Sequence, residues 1–311
     1  MEAGVSNIHE LVLKLGKTQA RMMVSKDRIP IVDTAARILE EASNELGITY
    51  SGFCLTALPH KRLPDDQEWV RQNGQASLMI EPGRIIPQKG AAPKLIGVPY
   101  GPKARLILLY LQTRAVKTKS REVEIGKSMH DWLKRMDITA SGKSYSLVRE
   151  QAERISRCRL TFFFNDNQKK GFRNDHIISG GISFQSNENQ SSLWEDTVFL
   201  GESFYQALTS HPVPVWEPAI RELSARSMAI DIYIWLSYRL HVLNAPTPIS
   251  WTALYNQFGA GFKAIRQFKP EFRRNLDFAL AVYSEARVRE QELGIELIPS
   301  PPPVPERLII S

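Results

Sequence analysis

The sequence predicts an α+β fold in which one order of elements occurs twice, behind a helical extension. Three observations carry this. The order helix, strand, helix, helix, strand, turn, strand can be laid over residues 102–186 and again over 218–298. In each pass a short helix precedes a longer amphipathic one that is rich in Lys and Arg. The composition, 43% hydrophobic and 23% charged over 311 residues, suits a globular chain with two cores. The implied domains are a helical segment (1–48), a first unit (49–188), a second unit (189–300) and a proline-rich tail (301–311).

Residues 8–24 and 28–46 read as two helices. In the second, Val32, Ala35, Ala36, Leu39, Ala42 and Leu46 share one face, and Gly47 ends it. SGFCLTAL (51–58) and QASLMIEP (75–82) are strand-like, and the polar stretch 59–74 reads as a loop. PKARLILLYLQTRAVK (102–117) is a helix with Pro in its first turn. REVEI (121–125) alternates as a short strand. SMHDWLKRM (128–136) is a helix with Ser128 and Asp131 placed as a capping box. Residues 144–157 form the next helix and 159–164 a strand. NDNQKKGFRND reads as a basic loop, with 176–186 as the returning strand, and SNENQSS (186–192) as a linker.

The second pass has a long helix over 218–244, an extended TPI (247–249) and a helix over 250–258. A further helix over 268–283 and a hairpin over 285–298 complete it. In PSPPPVPERLIIS the proline run is extended. Its RLII end is read either as folded back on the second unit or as a strand offered to a partner.

This order is that of the winged helix-turn-helix, so the expectation is two such domains in tandem. The second helix of the motif enters the major groove, and the hairpin reaches the neighbouring backbone. On a helical wheel over 144–157, Val148, Ala152 and Ile155 face inward, with Leu147 and Cys158 at the sides. Lys143, Ser146, Glu150, Glu153, Arg154 and Arg157 face outward, flanked by Arg149. Lys143, Ser144 and Ser146 occupy the first turn, the end that meets base edges or phosphates. Arginine carries the planar fork that reads guanine, while lysine and serine suit phosphate. Lys169, Lys170 and Arg173 would form a basic wing.

In the second unit Leu276, Phe272, Ala279, Leu280 and Tyr283 face inward. Arg274, Glu271 and Phe278 face outward, and Lys263, Arg266, Lys269 and Arg273 surround the helix start. A solvated helix face is the plainer reading, and the two glutamates on the first helix favour it. The net charge of +7 and the pI near 9.3 favour a polyanionic partner.

Chemistry is harder to find. GKS occurs at 126–128 and 142–144, but Arg121 and Asp137 stand where a phosphate loop needs glycine. His9, His60, His130, His176, His211 and His241 are scattered, with no His-x-His pair beside Tyr145 that would suit a nicking enzyme. Asp65, Asp66 and Glu68 read as a solvated loop. Cys54 and Cys158 lack zinc or disulfide spacing and read as small buried residues in a reducing compartment. The expectation is a protein that is not an enzyme and uses no metal or cofactor. The apolar window 228–243 is interrupted by Asp231, Arg239 and His241, so it reads as a core helix, and the N-terminus is not a secretory signal.

GVPYGPKARLILLYLQT (97–113), SMHDWLKRM (128–136) and SLVREQAERISRCRLTF (146–162) resemble the plasmid-encoded RepA family of alphaproteobacterial replication initiators. SGFCLTALPHKR (51–62), HPVPVWEPAI (211–220) and WTALYNQFGAGF (251–262) fit the same pattern, so the resemblance spans roughly residues 45–300. It implies binding to double-stranded DNA at repeated plasmid origin sites, duplex opening, and recruitment of a host helicase or initiator proteins in the bacterial cytoplasm. Related initiators also form a homodimer that represses the protein's own promoter, so a winged-helix repressor is the alternative. No membrane partner is implied. The N-terminal helices are left open between a dimer contact and packing beneath the first domain.

Overall fold

A computed structural model describes residues 8–74, 76–87, 90–166, 169–180 and 197–304, and for 164–166 and 169–175 the backbone alone. The fold is α+β. Two compact units divide it, Met1–Gly47 with Val213–Ser311, and Ile48–Pro212. The linker 186–192, the end of the returning strand (181–186) and the RLII tail lie outside the described residues.

The discontinuous unit begins with α1 (Ile8–Met22), which breaks at Gly16, whose φ of 75° and ψ of 160° leave the helical region. A 3-10 turn over Lys26–Arg28 leads into α2 (Ile29–Glu40). Helix α2 stops well short of Leu46, because Leu46 already belongs to strand β1 (Leu46–Tyr50). The two helices pack on each other.

In the continuous unit α3 (Ser51–Leu55) follows directly, so the apolar stretch 51–58 opens as a helix rather than a strand. The loop expected over 59–74 ends in β2 (Trp69–Asn73), which pairs with β3 (Ala76–Glu81). A small ribbon of β4 (Arg84–Ile85) and β5 (Lys94–Leu95) precedes α4 (Gly101–Thr118). Helix α4 is buried almost all round, from Ala104 to Leu109 and again at Leu111, so it forms the centre of the unit. Each fully buried Leu or Ile contributes about 1.5–3 kcal/mol.

Then come β6 (Glu122–Glu124), α5 (Met129–Arg135), α6 (Gly142–Arg157) and β7 (Arg159–Asp166). The expected basic loop is largely strand: β8 (Lys169–His176) pairs antiparallel with β7, from Arg159 opposite His176 to Asp166 opposite Lys169. The hairpin joins β2 and β3 in the order β2-β3-β7-β8, with Leu78 opposite Phe162 and Ile80 opposite Leu160 on the buried side. Strands β9 (Ile178–Gly180) and β10 (Thr197–Leu200) form a second sheet in which β10 lies between β6 and β9. Helix α7 (Glu202–Ser210) closes the unit, its Phe204 meeting Tyr50 and Phe53 edge-on.

Strand β11 (Pro212–Trp216) carries the chain back to the discontinuous unit. The long helix expected over 218–244 is broken: α8 (Glu217–Glu222) and α9 (Ser227–Arg239) are separate, with the Leu223 and Ser224 amides turning back to Ala219 and Arg221. Helix α9 is the all-round buried core helix, from Met228 to Ser237. Next come β12 (Thr247–Ser250), α10 (Trp251–Phe258), α11 (Ile265–Ala281), β13 (Arg287–Gln291) and β14 (Gly294–Ile298). Their sheet has the order β12-β14-β13.

The N-terminal helices belong to this unit. Helix α2 packs on α11 and α8, His9 Nε2 donates to Ala281 O at 2.9 Å, and Arg37 grips the Glu222 carboxylate at 2.7–2.9 Å.

Candidate nucleic-acid interface

In the continuous unit, caps set the directions of α5 and α6. Ser128 Oγ accepts the Asp131 amide at 3.1 Å, and Asp131 Oδ2 in turn accepts the Lys127 amide at 3.2 Å. The turn after α5 is held by the Ile138 amide on Leu133 O at 2.8 Å. Ser141 caps α6, accepting the Ser144 amide at 3.1 Å. His130 Nδ1 and the Tyr145 hydroxyl are 2.8 Å apart, tying the two helices together. Tyr145 is thus a partly buried hydrogen-bonding residue.

Helix α6 buries Val148, Ala152 and Ile155 as the wheel predicts. Lys143, Ser146, Arg149 and Arg157 are exposed, and Ser144 is half-buried under the cap. The three cations make no ion pair among the described residues.

Arg154 is the exception. The wheel sets it outward, but it is only 3% exposed. Its Nη1 donates to Val98 O at 3.1 Å, and its Nη2 donates to Asp65 Oδ1 at 3.2 Å and Glu150 Oε1 at 3.0 Å. The guanidinium also lies 5.2 Å from the Tyr100 ring centre. Gly97, at φ 71°, leaves space for it, since a Cβ there would collide with Nη1. Arg154 is therefore a brace between α6 and two loops, not an outward contact. Asp65, expected in a solvated loop, is part of this brace. Burial pulls its carboxyl upward, but Arg62 and Arg154 outweigh that and hold it below the usual carboxylate range. Glu150 also accepts from the Tyr100 hydroxyl at 3.2 Å and lies 3.7 Å from Arg62, so its charge is compensated. Only the spacing of Glu150 and Arg154, four apart on a helix, hinted at this network; Asp65 and Val98 are contributed from far away in sequence.

Lys169, Lys170 and Arg173 stand on strand β8; their side chains lie outside the described residues.

In the other unit Ser250 caps α10, accepting the Ala253 amide at 3.2 Å. Helix α11 starts at Ile265, three residues earlier than predicted. Lys263, Arg266, Arg273 and Arg274 are exposed and Lys269 is half-buried. Lys269 and Arg273 lie 5.2 and 4.9 Å from the Trp251 ring centre, and Arg273 Nε donates to Glu290 Oε1 at 2.6 Å on the hairpin. Phe278 does not face outward. It is buried, and the Arg226 guanidinium covers its ring at 3.7 Å. The wheel could not anticipate that covering, because it comes from the break between α8 and α9.

Cys54 and Cys158 are buried, and burial raises both thiols, Cys158 to about 11, so neither is a reactive thiolate. Among the described residues no group of three or more His, Cys, Asp or Glu side chains could hold a metal. No helix among them is long and apolar enough to cross a membrane.

Residues 98–252 match the family model described as "Plasmid encoded RepA protein", a narrower span than the one expected from the motifs. No curated protein matches the chain. Among solved structures the chain is similar to domains 2 and 3 of RctB, at 12% identity and a TM-score of 0.49, covering 80% of this chain and 95% of that one. A second structure of RctB domains 2-3 aligns at 14% identity and a TM-score of 0.39, covering 79% and 94%.

Proposed function

With residues 98–252 belonging to the plasmid-encoded RepA family, we propose that this protein is a plasmid replication initiator that binds specific duplex DNA sites at an origin. The family match is the observation that carries the reading. The exposed cations on α6, which make no ion pair among the described residues, support it.

In this reading the two runs α4-β6-α5-α6-β7-β8 and α9-β12-α10-α11-β13-β14 act as tandem winged helices. Helices α6 and α11 approach the major groove, where Arg149 suits a base edge and Lys143, Ser144 and Ser146 suit phosphates. The protein opens the origin with host helicase or initiator proteins, acts in the bacterial cytoplasm, and can occupy its own promoter as a homodimer. It carries out no covalent chemistry itself.

DNase footprinting on the DNA flanking its own gene, at two salt concentrations, tests this. Repeated protected sites in an AT-rich non-coding region are expected. A single palindromic site over the promoter, together with normal plasmid replication without the protein, would replace the initiator by a repressor. Nicked or covalently attached product from supercoiled origin DNA with divalent metal would overturn the non-enzymatic part.

A further inference from the structure

The loop over residues 58–65 has no regular structure, yet two buried arginines from two helices hold it. From α4, Arg105 Nη2 donates to Leu58 O at 2.7 Å and its Nη1 donates to Pro59 O at 3.1 Å. The Gly101 amide adds a bond to Pro59 O at 2.9 Å. From α6, Arg154 holds Asp65. Burying a guanidinium costs several kcal/mol unless its donors are satisfied, so a mere connection is an uneconomical explanation for using two.

The loop presents two cations. Lys61 is exposed, with no ion-pair partner among the described residues. Arg62 remains 57% exposed while its guanidinium reaches Asp65 at 3.2 Å and Glu150 of α6 at 3.7 Å. Asp65 and Glu150 are matched by Arg62 and Arg154, which leaves Lys61 as the cation of this loop with no ion-pair partner among the described residues. A turn over 64–67, closed by the Gln67 amide on Pro64 O at 3.1 Å, holds the exposed Asp66 within it, and the exposed Glu68 follows.

From this geometry we infer that Lys61 and Arg62 form a phosphate-binding edge beside α6, pre-set to meet the backbone of duplex DNA; the inference rests on the DNA-binding reading above. Fixing the loop in advance lowers the ordering cost of binding. The contact is to phosphate, so it adds affinity without sequence preference.

The test uses the full chain with Lys61→Ala, Arg62→Ala and both together. Each is titrated across salt concentrations with a duplex carrying the footprinted site and with a random duplex of equal length. Each single change should weaken both duplexes alike; Lys61→Ala should reduce the slope of log K against log salt by about 0.9, and Arg62→Ala, whose charge is shared with Asp65 and Glu150, by less. Lys61→Ala touches no part of the brace, so its effect does not depend on folding. Arg149→Ala is the reference, weakening the footprinted duplex selectively. An unchanged slope and affinity in the double variant, with Arg149→Ala still selective, overturns the inference and leaves the DNA reading intact. If the unaltered protein binds neither duplex, the DNA reading itself fails and the inference with it.

Discussion

Helices α6 and α11 carry similar numbers of basic residues but make them available differently. On α6 the exposed Lys143, Arg149 and Arg157 make no ion pair among the described residues, and the acidic Glu150 is neutralised by a brace on its inner side. On α11 the central Arg273 is tied to Glu290, and it shares the Trp251 ring with Lys269. Lys263 and Arg266 remain exposed around the start of the helix, and Arg274 in its middle. The hairpin tip following α11 carries Glu290 and Glu292, whereas the hairpin following α6 carries Lys169, Lys170 and Arg173 in its sequence. Charge composition alone ranks the helices as equals; the partners of each charge do not. On the DNA-binding reading, α6 leads sequence recognition and α11 adds weaker, less selective contact.

The largest expected effect separates brace from reader. Arg154→Ala should destabilise the continuous unit by about 3 kcal/mol, because two carboxylates lose their buried partner; urea unfolding measures this. Unchanged stability with relaxed site preference would return Arg154 to the outward face and undo the contrast.

Next, Arg149→Ala should weaken binding to the footprinted duplex by about 1–3 kcal/mol. Arg273→Ala should cost less than about 1 kcal/mol, since its charge is already engaged with an exposed carboxylate. Equal losses in an equilibrium titration would erase the ranking of the two helices.

A further effect, on stability rather than binding, concerns what lies behind α11. Burial pushes the Asp277 carboxyl up to about 6, Arg28 opposes the rise, and Glu290 and Asp27 add to it. Its pKa in the fold exceeds the unfolded value, so the stabilising neutral form is fully present below about pH 4 and lost as pH rises through about 6. Asp277→Asn should remove about 1–2 kcal/mol of that decline after allowance for solvent screening. Unfolding curves at pH 4 and pH 7 would check it. Parallel pH dependences for variant and unaltered protein would mean that α11 is not backed by a strained carboxyl.

Much of the continuous unit was legible. Ser128 signalled the start of α5, and the 3.6-residue period of Val148, Ala152 and Ile155 gave the buried face of α6, which starts two residues before the expected Ser144 under the Ser141 cap. What escaped depended on distant partners. Five residues of α3 are too few to show a period, so their apolar content read as a strand. The break between α8 and α9 sits in a stretch without glycine, and only its backbone bonds mark it. Strand β10 separates β6 from β9, whereas β12 pairs directly with β14. The two passes therefore share an order of elements but not a sheet connectivity, which no local pattern encodes. For the site, Lys143, Ser146, Arg149 and Arg157 took the exposed positions expected of them. Arg154 did not, because a wheel assigns direction by polarity and cannot see an acceptor such as Asp65 eighty-nine residues away in sequence.

The bond from His9 to Ala281 spans 272 positions along the chain. Helices α1 and α2 leave the ribosome well before their packing partner α11 is made. At roughly 5–20 residues per second, they wait for many seconds while the continuous unit, whose residues emerge in between, can finish on its own. The wait itself costs little at equilibrium, since closing a longer loop adds only about 0.6 kcal/mol per doubling. It matters in time: Ile31, Val32 and Ile38, buried in the finished unit, have no α11 to cover them until residues 265–281 appear. A nascent chain that has released residues up to 212 but not α11 from 265 onward would hold a complete inner unit and an exposed apolar helix pair, a natural target for chaperones and proteases.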